Sequence, residues 1–139
     1  MLEVLRSWTM RGHPNLDDLG PALPREQWTL VDAVRHQAVA AGDREFLSFE
    51  DGPSASFSEF DDLTDRLGTA FCGLGVQPGD RVLGLLTNSR EFMLSMIATH
   101  KVGAIFVPVN TELRGNFLEH QVHNSSPRII VVDDGLLER

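Results

Sequence analysis

Residues 80–92 run Asp80-Arg-Val-Leu-Gly-Leu-Leu-Thr-Asn-Ser-Arg-Glu-Phe92, and residues 100–110 run His100-Lys-Val-Gly-Ala-Ile-Phe-Val-Pro-Val-Asn110. These two stretches decide the fold. Val82–Leu86 is apolar with little alternation, the pattern of a strand covered on both faces. Asn88 and Glu91 suit the N-cap and N3 positions of a helix. Phe92, Met93, Met96 and Ile97 would form its buried face. Gly103 fits the position just past the helix end, where a left-handed backbone is wanted. Ile105–Val109 is then a second strand. Strand, capped helix, glycine stop and strand make one βαβ unit, which implies parallel strands and a right-handed crossover.

Outward from this unit the same logic continues. Gln77-Pro78-Gly79-Asp80 suits a type II turn, with proline at the second position and glycine at the third. The preceding helix opens near Ser58 and carries the stripe Leu63, Leu67, Phe71 and Leu74. Phe46–Glu50 and Ala55–Phe57 are short strands around Asp51-Gly52-Pro53, a turn signal, and so form a hairpin. Thr29, with Asp32 three residues on, caps a helix whose apolar positions are Leu30, Val34, Ala38 and Ala41; Gly42 ends it. On the other side, Phe117, Leu118 and Val122 mark a helix face and Ile129–Val132 a third apolar strand. Residues 1–24 hold Pro14, Gly20, Pro21 and Pro24 and no sustained period, which predicts a tail or a surface strap. The expected fold is α/β, a mostly parallel sheet with flanking helices plus a short hairpin.

A chain of 139 residues suffices for one domain. If complete, it could bury roughly 70% of its unfolded surface. Twelve basic against twenty acidic residues give a net charge of −8, which argues against a nucleic-acid surface built from clustered Lys and Arg. Lys101 is the only lysine. The single cysteine, Cys72, excludes an intramolecular disulfide framework. It sits beside the helix stripe and reads as a small buried residue rather than a catalytic thiol. No run reaches the length of a membrane span. The start, with Glu3 and no long apolar core, is unlike a secretory leader, so a cytoplasmic chain is expected.

Candidate chemistry is sparse. Gly73-Leu-Gly75-Val-Gln-Pro-Gly79 follows a helix and precedes a strand, the reverse of a dinucleotide loop, and reads as a helix stop and turn. A Walker-type phosphate loop needs Gly-Lys-Ser/Thr, and Lys101 lies between His100 and Val102. No Gly-x-Ser-x-Gly elbow occurs. His120 and His123 share a helix face but do not make a metal site by themselves. His100 suits the negative pole of its helix, and Asp61-Asp62 the positive pole of theirs. The residues alone therefore supply no catalytic or metal-binding set.

Taken together, the pieces resemble the N-terminal region of adenylate-forming (AMP-binding) enzymes, most closely acyl-CoA synthetases and acid–CoA ligases. Ala55-Ser-Phe-Ser-Glu-Phe60 looks like the family's Thr-Tyr-x-Glu-Leu element. Pro78-Gly-Asp-Arg-Val82 through Asn88-Ser-Arg-Glu-Phe92 is similar to its Gly-Asp-Arg-Val…Asn-Ser-x-Glu turn. Lys101-Val-Gly-Ala-Ile-Phe-Val-Pro-Val-Asn110 resembles its Lys-Ala-Gly-Ala-x-Tyr-Val-Pro-Val/Ile-Asp/Asn element, and Asn110 in place of Asp is typical of the CoA-ligase branch. The likeness spans about residues 29–133.

The resemblance implies joining of a small carboxylic acid to ATP, with magnesium, and transfer of the acyl group to CoA. It implies that residues 25–139 are the N-terminal part of a ligase domain incomplete at its C-terminal end. In the family the phosphate loop, its lysine and the ribose-binding acid lie further along, so this chain alone is expected to be inactive and to bind none of these cofactors well. Some acid–CoA ligases place an arginine two residues after the Asn, against the CoA nucleotide. Here that slot is Glu112, and Arg114 is the nearby candidate for CoA binding; its alternative is a solvated helix-start arginine. A stand-alone interaction module working through a sheet edge is the competing expectation. An isolated piece would also self-associate through exposed apolar surface.

Overall fold

The computed structural model describes residues 29–49 and 52–137. The proposed tail or strap, residues 1–24, lies outside them. Helix α1 (Leu30–Ala41) is capped as expected: Thr29 Oγ1 accepts from Asp32 N at 3.1 Å, and the Thr29 hydroxyl donates to Asp32 Oδ2 at 2.6 Å. The Asp32 carboxylate engages the hydroxyl rather than the cap backbone. Strands β1 (Glu45–Leu47) and β2 (Ala55–Ser56) form the antiparallel hairpin, shorter than the sequence suggests. Glu50 and Asp51 of its turn fall outside the described residues.

Helix α2 (Phe57–Gly73) starts one residue earlier than Ser58, because Ser56 caps it. Ser56 Oγ accepts from Glu59 N at 3.2 Å, and Ser56 N donates to Glu59 Oε2 at 2.8 Å, a full capping box. The expected leucine stripe is shifted. Phe60, Thr64, Gly68 and Phe71 are buried, Leu63 and Leu67 half-buried, and Leu74 is 64% exposed. The cause is a close approach of α2 to the next helix at small residues. A Cβ on Gly68 would lie 3.1 Å from Val102 Cγ1 and 3.4 Å from the Ala98 carbonyl oxygen. The inward row is thus set by Thr64 and Gly68. Cys72 lies on the outward side and is exposed, contrary to the buried reading.

Four bonds close α2: Leu74 N to Ala70 O at 3.0 Å and to Phe71 O at 3.1 Å, Gly75 N to Cys72 O at 2.9 Å, and Val76 N to Phe71 O at 3.0 Å. Gly75 takes φ +86°, the left-handed stop. In the type II turn Gly79 also takes φ +86°, and Asp80 N donates to Gln77 O at 3.0 Å. The main sheet then has the order β4-β3-β5, with β3 (Arg81–Leu85) central and β4 (Ile105–Pro108) and β5 (Ile129–Val132) parallel to it. The registers are Val82↔Phe106 and Val82↔Ile129.

Helix α3 (Arg90–Lys101) joins β3 to β4. Its N-cap is Ser89, whose Oγ accepts from Phe92 N at 3.2 Å, and not Asn88. The chain uses Leu86–Asn88 to turn out of the sheet, which moves the cap one residue on. Ser95, Ile97, Ala98 and Thr99 are buried, whereas Phe92, Met93 and Met96 are half-buried. The buried hydroxyls of α2 and α3 bond within their own helices, Thr64 to Phe60 O at 2.8 Å and Thr99 to Ser95 O at 2.7 Å, so they cost little there. Helix α4 (Gly115–Ser125) precedes β5. Leu118 and Val122 face inward, but Phe117 is 76% exposed, one helical step to the side of the covered face.

The sheet is sandwiched. One face packs Val82 and Phe106 with Phe71, Val76, Ala98 and Ala104 of the α2–α3 side. The other packs Leu83, Leu85 and Val109 against Leu118 and Val122 of α4 and Leu136 of a short 3₁₀ turn, Asp134–Leu136. Burial on both faces holds for β3 only. As outer strands, β4 and β5 leave Ile105 53% and Ile130 45% exposed.

Candidate functional site

Parallel sheets of this kind present ligand sites at the carboxyl ends of their strands. Here those ends are Leu86–Asn88 after β3, Val109–Thr111 after β4, and Asp133 after β5. Between the first two lies a shallow cleft of about 390 Å³. Leu86, Phe92, Pro108 and Val109 supply its apolar surface, and Thr87, Asn88, Asn110 and Thr111 its polar surface. Among the described residues no charged side chain lines it.

The loops around the cleft are fixed by short-range bonds. Thr87 donates both its backbone N–H and its hydroxyl to Asp133 Oδ2, each at 2.7 Å, which ties the end of β3 to the end of β5. Asn110 Oδ1 accepts from Glu112 N at 2.9 Å, an Asx turn that starts the link to α4. Val109 N donates to Gly84 O at 2.9 Å, carrying the β3–β4 pairing up to the rim. A second cleft, of about 580 Å³, lies between Phe49, Gly52 and Pro53 on the hairpin side and Asn88–Glu91 at the start of α3. Arg90 Nε is buried at this helix start without a hydrogen-bond partner. The Glu59 carboxyl nearby is held below its usual 4.5. The Ser56 backbone N–H is the main cause, then the Ser56 side chain, with the Arg90 charge adding to it.

Arg114 is the N-cap residue of α4, exposed, with no side-chain capping bond. Glu112 is exposed as well. Both follow β4, but neither lines the strand-end cleft. His120 and His123 are exposed on α4, where His123 Nε2 lies 3.6 Å from Glu119 Oε1. Among the described residues no group of three or more His, Cys, Asp or Glu side chains could hold a metal ion. His100 stands in the last turn of α3, as expected.

Asp61 has a different role from the helix-pole one its position suggested. Only Glu59 is acidic in the first turn of α2, and Asp61 instead receives Lys101 from α3. Nothing in local spacing announces this pair, since forty residues separate its partners. The Ser56–Glu59 capping box, by contrast, is readable as Ser-x-x-Glu. No described helix is long and apolar enough to cross a membrane.

Residues 34–139 match the AMP-binding enzyme family. A medium/long-chain-fatty-acid–CoA ligase of Mycobacterium tuberculosis is 29% identical over 116 residues, 84% of this chain and 19% of that protein. A crotonobetaine/carnitine–CoA ligase of Salmonella paratyphi B is 32% identical over 120 residues, 84% of this chain and 22% of its own length. The chain thus spans about a fifth of the length of these relatives. Among solved structures, the anthranilate CoA ligase AuaEII with anthranoyl-AMP superposes with a TM-score of 0.75 at 27% identity, covering 84% of this chain and 23% of that one. A benzoate CoA ligase from Burkholderia xenovorans shares the fold at TM-score 0.73 and 18% identity, over 78% and 22%. The parallel β4-β3-β5 sheet, its strand-end cleft and the extent of these matches place the chain in the family of AMP-binding enzymes.

Proposed function

We propose that these residues are the N-terminal portion of an ATP-dependent acid–CoA ligase and are inactive alone. In the whole enzyme a carboxylate oxygen attacks the α-phosphorus of ATP, the α–β anhydride bond breaks, and pyrophosphate leaves. The CoA sulfur then attacks the acyl carbonyl carbon, and AMP leaves. The observation that carries the reading is the alignment of 84% of the chain with proteins named as CoA ligases. The chain's part is to shape one wall of a site whose ATP, magnesium and acid ligands come from elsewhere. Arg114, outside the cleft, is the candidate contact for the CoA nucleotide, and the cytoplasm is the proposed compartment.

The test has two arms. The 139-residue chain, given ATP, magnesium and a panel of carboxylic acids, releases no acid-dependent pyrophosphate. Residues 29–137 exchanged for the matching segment of the crotonobetaine/carnitine–CoA ligase give a folded chimera that forms thioester. Pyrophosphate release by the chain alone overturns its inactivity. A folded chimera without adenylate formation overturns the ligase reading.

One observation favours a second reading, a non-catalytic interaction module: both outer strands, β4 and β5, lack a further strand neighbour among the described residues. Such edges can recruit a partner strand. A folded, inactive chimera together with capture of an extended peptide along β5 would support it.

A further inference from the structure

The aromatic wall of the strand-end cleft is set from inside the sheet. Phe92, in the first turn of α3, lines the cleft. Its ring meets the ring of Phe106 on β4 edge-on, with centroids 5.4 Å apart and planes at 83°. Phe106 in turn lies over Gly84 of the central strand. A Cβ built on Gly84 would stand 2.5 Å from Phe106 Cζ and 2.9 Å from Cε2. Real carbon atoms do not approach so closely, so the missing side chain of Gly84 is what seats the Phe106 ring. Gly84 is buried with an ordinary backbone, and no positive φ calls for glycine there. Side-chain room is the physical reason for it.

We infer that Phe106 is a positioning residue for the strand-end cleft, seated by the vacancy at Gly84 and holding Phe92 as the cleft's aromatic wall. This rests on the reading of that cleft as part of a ligase site. Edge-to-face rings are attractive beyond the area they bury, so the contact selects one Phe92 placement over its alternatives. The contact is made by the two rings, so it can be altered by substitutions that leave Thr87, Asn88 and Asn110 themselves in place. Phe92 is the aromatic residue among the described lining residues, so its placement shapes the apolar wall on which selectivity for a ligand depends.

The relay is tested on the 139-residue chain by NMR, with Gly84→Ala, Phe106→Leu and the double variant. The added methyl of Gly84→Ala displaces the far end of Phe106. The expected result is a shift of the Phe92 ring resonances and of the Thr87, Asn88 and Asn110 amides. Amides at the opposite end of the sheet, Gly79 and Gly103, hold still. Phe106→Leu alone moves the Phe92 resonances by removing the neighbouring ring current, and Gly84→Ala on that background then moves the rim little further. A Phe92 ring indifferent to Phe106→Leu overturns the inference. So does a Gly84→Ala effect on the rim that is just as large without the Phe106 ring. Should Gly84→Ala not fold, the Phe106→Leu spectrum alone decides. These spectra do not depend on turnover, so a failed thioester assay would count against the ligase reading and leave the relay standing.

Discussion

Lys101 Nζ lies 2.5 Å from Asp61 Oδ1 and 2.8 Å from the Asp61 carbonyl oxygen, so one residue of α2 receives the end of α3 by both its side chain and its backbone. Asp65 Oδ1 accepts from the same Nζ at 2.8 Å. All three ammonium protons thus have acceptors, and the lysine side chain is only 3% exposed. Two carboxylates around one ammonium leave the group net negative, and Asp65, on the solvent side, absorbs that excess in water.

Lys101→Met should therefore destabilise the chain through two unpaired carboxylates rather than through lost volume. Breaking a fully buried pair costs about 3–5 kcal/mol. The partial exposure of Asp61 and the larger exposure of Asp65 reduce this to about 2 kcal/mol. Asp65→Asn should cost well under about 1 kcal/mol, as exposed pairs do. Urea denaturation of Lys101→Met, Asp61→Asn and the double variant measures the coupling. Additive effects within about 0.5 kcal/mol would show that the pair is not a unit.

The Ser56–Glu59 box makes an acid-dependent contribution. The folded-state pKa of Glu59 is lowered below 4.5 by the Ser56 backbone N–H first, so the charged form is favoured in the folded chain. A depressed folded pKa gives stability that is present above 4.5 and fades as pH falls through the folded value. Glu59→Gln should flatten the dependence of Tm on pH below 4.5 while leaving its shape near neutrality unchanged. Ser56→Ala should cost about 1 kcal/mol at neutral pH, the ordinary worth of an N-cap hydroxyl. A Glu59→Gln profile parallel to that of the parent down to pH 3 would refute the linkage.

Much of the scaffold is legible locally because its signals are local. Gly75, Gly79 and Gly103 all take positive φ where the pattern required a stop or a turn, and the three parallel strands fall where the apolar runs lie. Turn chemistry acts over four residues, so four residues reveal it. The inward faces are less legible. Leu74 and Phe117 have the right helical spacing and still face solvent, because which side of a helix is covered depends on what packs against it. The α2–α3 contact closes on Gly68 against Ala98 and Val102, and Thr64 and Ser95 are buried too, small or polar residues that a hydrophobic count passes over. The general rule that parallel sheets present ligands at their strand ends locates the candidate site, but no local residue pattern does. Its walls join positions sixteen or more residues apart, and its rim bond from Thr87 to Asp133 joins loops with no shared pattern.

Arg114 offers a functional test of the CoA branch. Its guanidinium is exposed at the start of α4, after the Asn110 turn, with Glu112 two residues before it. In a full-length ligase carrying this segment, Arg114→Ala should raise KM for CoA several-fold and leave acid-dependent ATP–pyrophosphate exchange unchanged. Glu112→Arg, which restores an arginine two residues after Asn110, should lower KM for CoA. Both values unchanged would return Arg114 to the role of a solvated helix-start residue.

The outer strands set the behaviour of the chain in solution. Between them β4 and β5 present Ile105 and Ile130 to solvent, with Phe117 and Leu137 also exposed. Natural sheets protect such edges with charges, bulges or proline. Strand β4 ends in Pro108, which removes a donor, whereas Ile129-Ile130-Val131-Val132 has neither charge nor proline. Pairing should therefore favour the β5 edge over the β4 edge. The 139-residue chain should bind ANS and scatter light more per unit mass as its concentration rises, despite a net charge of −8 that opposes association. Ile130→Lys, which puts a charge on the exposed side of β5, should suppress the scattering, and Ile105→Lys should do so less. A compact monomer at every concentration, binding no ANS and unfolding in one sharp transition, would show that these edges are satisfied within the chain itself.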